Sequence, residues 1–139
     1  MIFFLKWLTF IVIPLFFIFL IFPFSIYFAQ ESVSDTCNEF KKVEEAVNKM
    51  LPDKIDDASE LTGFFVNCDT ETIKYAKRIL VDVRLFKEGW MERKQRQHTL
   101  VHCNQKGISS TEKWNVMDVL YDKDFKYLVT FHTSPKDCN

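Results

Sequence analysis

Glycine and proline are scarce, with three and four residues respectively among 139. That excludes collagen-like and low-complexity architectures, in which those residues dominate. An excess of charge of one sign is also lacking. Lys and Arg number 18 against 19 Asp and Glu, a net of −1, so the chain offers no strongly basic face of the kind nucleic acid selects. No cysteines stand as a close C-x-x-C pair, which argues against a zinc knuckle. No repeat at solenoid period is visible. No catalytic signature is present either, so the chain is read as a non-enzyme with no cofactor.

What the sequence has in plenty is one long apolar run. From Ile2 to Ala29 it is almost unbroken Phe, Ile, Leu and Val, with Lys6 as its one charge. A bilayer core about 30 Å thick needs roughly 20 apolar helical residues, and the stretch from Trp7 to Tyr27 supplies them. A cleaved signal has several leading positive charges and a small-x-small cleavage site. Here Lys6 is alone, and bulky Tyr27 stands two positions before Ala29. The expectation is an uncleaved anchor over 1–29 and one domain over 30–139. Lys6 before the span, with Glu31 and Asp35 after it, places the amino terminus in the cytoplasm and the domain in the periplasm, held at the inner membrane.

The four cysteines, Cys37, Cys68, Cys103 and Cys138, are spread evenly along that domain. An even count in an exported domain reads as two disulfides. Three pairings are possible. Cys37–Cys68 with Cys103–Cys138 is preferred, because each joins a helix to the strand region after it.

Periodicity outlines the elements. Thr36 and Glu39 have capping-box spacing, and Phe40, Val43, Val47, Met50 and Leu51 recur at helical intervals. A helix over 37–51, stopped by Pro52, follows. Lys54 to Ser59 is polar and reads as a loop. Leu61 to Val66 and Thr72 to Val81 read as an antiparallel hairpin, the second showing Ile73, Tyr75 and Ile79 in alternation. Residues 84–105 read as a second helix with a narrow apolar face of Trp90, Met91, Leu100, Val101 and Cys103, closed by Gly107 as a left-handed cap. Trp114 to Tyr121 and Phe125 to His132 read as two further strands around an Asp122-Lys123-Asp124 turn. The fold class is α+β: an αββαββ domain with a four-stranded antiparallel sheet and both helices on one face.

Candidate sites are few. His98 and His102 lie four apart, a spacing that can share zinc. Thr99 stands where a metalloprotease has glutamate and no third ligand is evident, so they read as two surface or partly packed histidines titrating near neutrality, with no metal. Asp122-Lys123-Asp124 lacks the glycine and distal glutamate of a calcium loop. Ser109-Ser110-Thr111 reads as a connection. Two surfaces remain as partner sites: an acidic loop of Asp53, Asp56, Asp57 and Glu60, and a basic helix face with Arg93 and Lys94. Trp90 and Trp114 are either core or interface anchors.

The plan of an apolar leader over Met1 to Ala29, one small domain and four spaced cysteines resembles the periplasmic bacteriocin-immunity proteins of the pesticin-immunity type. The resemblance implies a membrane-tethered protein, of the kind carried on plasmids, that binds and neutralises a protein toxin or cell-wall hydrolase without turnover. The alternative is an accessory subunit of an envelope secretion or conjugation apparatus, or of an entry-exclusion system.

Overall fold

A computed structural model describes residues 35–138. The expected anchor over 1–29 lies outside them, and no helix among the described residues is long and apolar enough to cross a membrane. The chain divides at Thr36/Cys37, and the unit described below is the one that follows.

Residues 35–48 are helical (α1). Asp35 and Thr36 are already inside the helix, so the Thr36 capping box does not start it, and it ends before Met50 and Leu51. Strands β1 (Asp53–Asp56), β2 (Ser59–Asn67) and β3 (Thr72–Ile79) follow. A 3-10 turn at Val83–Leu85 leads to α2 (Trp90–Cys103) and a short α3 (Ile108–Thr111). Strands β4 (Asn115–Tyr121) and β5 (Tyr127–Thr133) and a 3-10 turn at Pro135–Cys138 complete it.

The sheet has five strands in the order β1-β2-β3-β4-β5. Two parts of the expected fold are corrected here. The segment read as a loop holds β1, a short, charged, fully exposed edge strand paired to β2 at Asp53–Leu61, Lys54–Glu60 and Asp56–Ser59. Its charges disguise it in sequence, and such charges suit an edge that must not recruit another chain. Second, β3 and β4 run parallel, in register from Thr72–Asn115 to Arg78–Tyr121. Parallel neighbours need a crossover connection, and residues 80–114, with α2 and α3, provide it. The sheet is therefore mixed.

Paired residues share a face, so Phe64 and Val66, Ile73 to Ile79 in alternation, Val116, Asp118, Leu120, Phe131 and Thr133 line one side. Both long helices pack there. Under α1 lies a core of Phe64, Val66, Ile73 and Trp114, with Phe40 and Val47 against it. Phe40 meets Trp114 edge-on at 4.9 Å. Near the start of α2, Ile79, Leu120 and Phe131 form a second core with Phe86 and Trp90.

Helix side chains also close the sheet's edges. The N–H and C=O of Phe64 lie beyond the short β1. Asn48 on α1 donates to the Phe64 carbonyl (2.8 Å) and accepts from its N–H (3.1 Å). Glu44 accepts from Val66 N–H at 2.9 Å. At the opposite edge Gln95 on α2 donates to the His132 carbonyl (2.8 Å) and accepts from its N–H (3.2 Å). Each amide side chain thus continues the ladder as a strand would, satisfying groups that are costly to leave unpaired.

The disulfides are Cys37–Cys68 and Cys103–Cys138, the preferred pairing. The first ties α1 to the β2–β3 turn, the second ties the end of α2 to the carboxyl-terminal turn.

Candidate functional site

The site is built on a departure from apolar patterning. On β3, Lys77 occupies an inward position between Tyr75 and Ile79. On β4, Asp118 does the same between Val116 and Leu120. Lys77 Nζ lies 2.5 Å from Asp118 Oδ2, with both side chains largely buried. Buried charges need such pairing.

Helix α2 covers this pair with a polar stripe. Its inward residues are Gln95, His98, Thr99 and His102, at helical spacing, while Met91, Leu100 and Val101 are exposed. The expected apolar face is corrected in part: Trp90 packs in the second core and Cys103 is tied by its disulfide, but between them hydrogen bonds to β5 replace apolar packing. His98, only 7% exposed, places Nδ1 2.7 Å from Thr133 Oγ1. Its Nε2 stands 3.9 Å from Asp118 Oδ1, and both of these buried atoms lack a hydrogen-bond partner. Burial drives the His98 pKa down to about 4, against the opposing pull of Asp118. His102, stacked on His98 with ring centroids 4.5 Å apart, is lowered too, chiefly by burial. Both histidines are thus held below the ordinary histidine value, and His98 leaves the neutral range expected from sequence. Burial raises the Tyr75 hydroxyl above its usual range, with Asp118 adding to it. Among the described residues no group of three ligating side chains could hold a metal.

Above the pair opens a cavity of about 400 Å³, floored by Tyr75, Lys77, Asp118 and Phe131 and walled by Ile55 of β1 and Val101 of α2. It runs into a second, more apolar cavity of about 630 Å³ lined by Leu85, Phe86 and Trp90. The two share Asp56, Ser59, Ile79, Lys94, Gln97 and Leu120, and so form one groove between β1 and α2.

The partner residues expected from sequence fall around it unevenly. Asp56 and Lys94 face each other across the groove, and Trp90 and Arg93 line its apolar lobe. Of the four acidic residues expected as a partner surface, Asp56 stands in the groove wall. Asp53 and Asp57 are exposed on β1 and in the turn after it. Glu60 is engaged within the domain, 2.6 Å from Arg78. Arg93 donates to the carbonyls of Glu88 (2.7 Å) and Lys87 (3.3 Å), folding back over the helix start. Trp90 packs edge-on against Phe86 and Phe131, and Trp114 is core at 2% exposure. Asp122 caps its own turn, accepting from the N–H groups of Asp124 and Lys126. Ser109 is buried in α3 rather than in a plain connection. Tyr75 is read from sequence only as a strand position, and Lys77 and Asp118 are not singled out there. Their signal is a charge at an inward position on each of two strands.

No family model and no curated protein matches the chain. Two solved structures are similar. One is a Pseudomonas aeruginosa protein classed as secreted, with a TM-score of 0.61 at 11% identity, covering 76% of this chain and 94% of that one. The other is the type 2 secretion system pilotin of Vibrio vulnificus, with a TM-score of 0.60 at 6% identity, covering 79% of this chain and 97% of that one. At such identities the likeness shows a shared fold.

Proposed function

We propose that the chain is a binding module that works outside the cytoplasm as an accessory subunit of an envelope secretion assembly, without turnover. The observation that carries this reading is the apolar lobe of the groove. Leu85 is 79% exposed beside Phe86 and Trp90, and a large apolar side chain at the mouth of an aromatic-lined cleft suits a protein interface. The shared fold with a secretion-system pilotin supports the assembly reading. The two disulfides and the secreted neighbour support an oxidising compartment. The apolar run over 1–29 would hold the module at the membrane.

Deleting the gene in its source organism tests this. Lowered export of secreted proteins, restored by the wild-type chain, is expected; normal export would contradict it. A second reading, neutralisation of a bacteriocin or cell-wall hydrolase, draws on Asp53, Asp56 and Asp57, exposed together around the β1 edge. It predicts that expression rescues sensitive cells from a periplasmic toxin while export is unchanged.

A further inference from the structure

Both cores, and with them both long helices, lie on one side of the sheet. Register places Lys54, Glu60, Phe65, Lys74, Arg78 and Tyr127 on the other side. Phe65, Tyr127 and, in the turn before β5, Phe125 are 46%, 58% and 56% exposed there. A cation stands over two of these rings. Lys74 Nζ lies 4.6 Å from the Phe65 centroid, and the Arg78 guanidinium 4.5 Å from that of Phe125. A cavity of about 430 Å³, lined in part by Leu51 and Pro52, reaches both rings. Phe125 is strained where it stands. It donates its N–H to the Asp122 carbonyl and closes the turn at φ 60°. A bulky side chain rarely takes that conformation, and glycine is favoured at such a hairpin corner. Its ring stays half in water, so packing inside the domain does not offset the strain.

The charges select the occupant. Among the described residues paired across this face, the cations are Lys54, Lys74 and Arg78 and the carboxylate is Glu60, which Arg78 engages at 2.6 Å. The adjoining turn is balanced, Asp122 and Asp124 against Lys123 and Lys126. A second copy on this face would set like charges together. Exposed aromatic rings among lysine and arginine suit the interface of an anionic bilayer. The tether agrees, because the apolar run ends at Ala29 and residues 30–34 before α1 can span at most about 17 Å. We propose that this sheet face lies on an anionic phospholipid surface. Phe65, Phe125 and Tyr127 enter the head-group layer, and Lys54 and Lys74 meet the phosphates. With so short a tether a weak intrinsic affinity is enough. The groove, on the opposite face, stays open to a protein partner. The inference rests on the membrane tether of the reading above and not on the groove.

The test places the full chain in nanodiscs of phosphatidylcholine alone, or of phosphatidylcholine and phosphatidylglycerol in equal parts. Lysines are then labelled with an amine-reactive reagent and counted by mass spectrometry. Labelling of Lys54 and Lys74 should fall at least about threefold with phosphatidylglycerol. It should recover at about 1 M salt, where charges are screened. Lys42, exposed on α1, should be unchanged. The double variant Phe65→Thr with Phe125→Asn, both at exposed positions, should keep its Tm and lose most of the protection. Equal labelling of the wild type in the two lipids would overturn the proposal alone, whereas a chain that co-elutes with neither nanodisc would overturn the tether with it. Undiminished protection in the folded double variant would also overturn it. So would protection in detergent that rises with protein concentration, which would assign the face to a second copy.

Discussion

His98 stays neutral in the folded chain down to about pH 4, because burial outweighs the pull of Asp118. In the unfolded chain a histidine takes its proton near pH 6.5. Between those values the unfolded state binds more protons, so this residue's contribution is full above about pH 6.5, fades as the pH falls, and is gone by about pH 4. The loss is at most about 3 kcal/mol. Urea unfolding at pH 7 and pH 4.5 should show it, and His98→Gln should flatten that part of the dependence. Gly107 offers a second check at this scale. Its expected left-handed conformation is absent, with φ at −75°. It is glycine for a different reason: a Cβ would stand 2.3 Å from the His102 carbonyl oxygen. Among the described residues the left-handed glycine is Gly89, at φ 70° before α2. Gly107→Ala should cost about 1–3 kcal/mol, as overpacking does, read as a lowered Tm. A close backbone approach of this kind leaves no trace in local sequence, whereas the inward Lys77 and Asp118 do.

Among the elements, α2 departs furthest from its sequence pattern. Of its expected apolar face Trp90 and Cys103 turn inward, but Met91, Leu100 and Val101 are exposed and the stripe between is polar. Between Trp90 in the second core and the Cys103–Cys138 bridge, what seats it is the Gln95 amide on the β5 edge and His98 on Thr133. Asn48 plays the matching part for α1 on β2. Asn48→Ala should therefore destabilise the domain by about 1–3 kcal/mol, since two part-buried backbone groups lose their partners. Gln95→Ala should cost about 1 kcal/mol at its more exposed edge. The edges lie on opposite sides of the sheet, so the double variant should show the sum in chemical denaturation. Strands β3 and β5 were legible because alternation marks them, and β2 because it is a short apolar run between polar stretches. Strand β1 was not, because a charged edge strand and a polar loop look alike. The direction of β4 against β3 was equally hidden, since alternation carries no information about strand polarity.

For the whole molecule, two cross-links span separations of 31 and 35 residues. On the chain-entropy account each contributes about 4 kcal/mol, a large part of the 5–15 kcal/mol typical of a domain. Replacing Cys37 and Cys68 by serine should lower the urea midpoint sharply, and full reduction should unfold the chain near physiological temperature. The preferred pairing followed from joining each helix to the strand region after it. The groove was not readable, because it brings β1, the turn at Val83–Leu85 and α2 together across the crossover. The most direct test of that groove as the working surface is retention of an envelope partner by the tagged full chain from detergent-solubilised membranes of its source organism, comparing wild type with Leu85→Asp. Leu85 is exposed, so the variant should keep its Tm. A secretion-assembly component should co-purify with the wild type and be lost from the variant; equal retention by both would contradict a working surface in the groove.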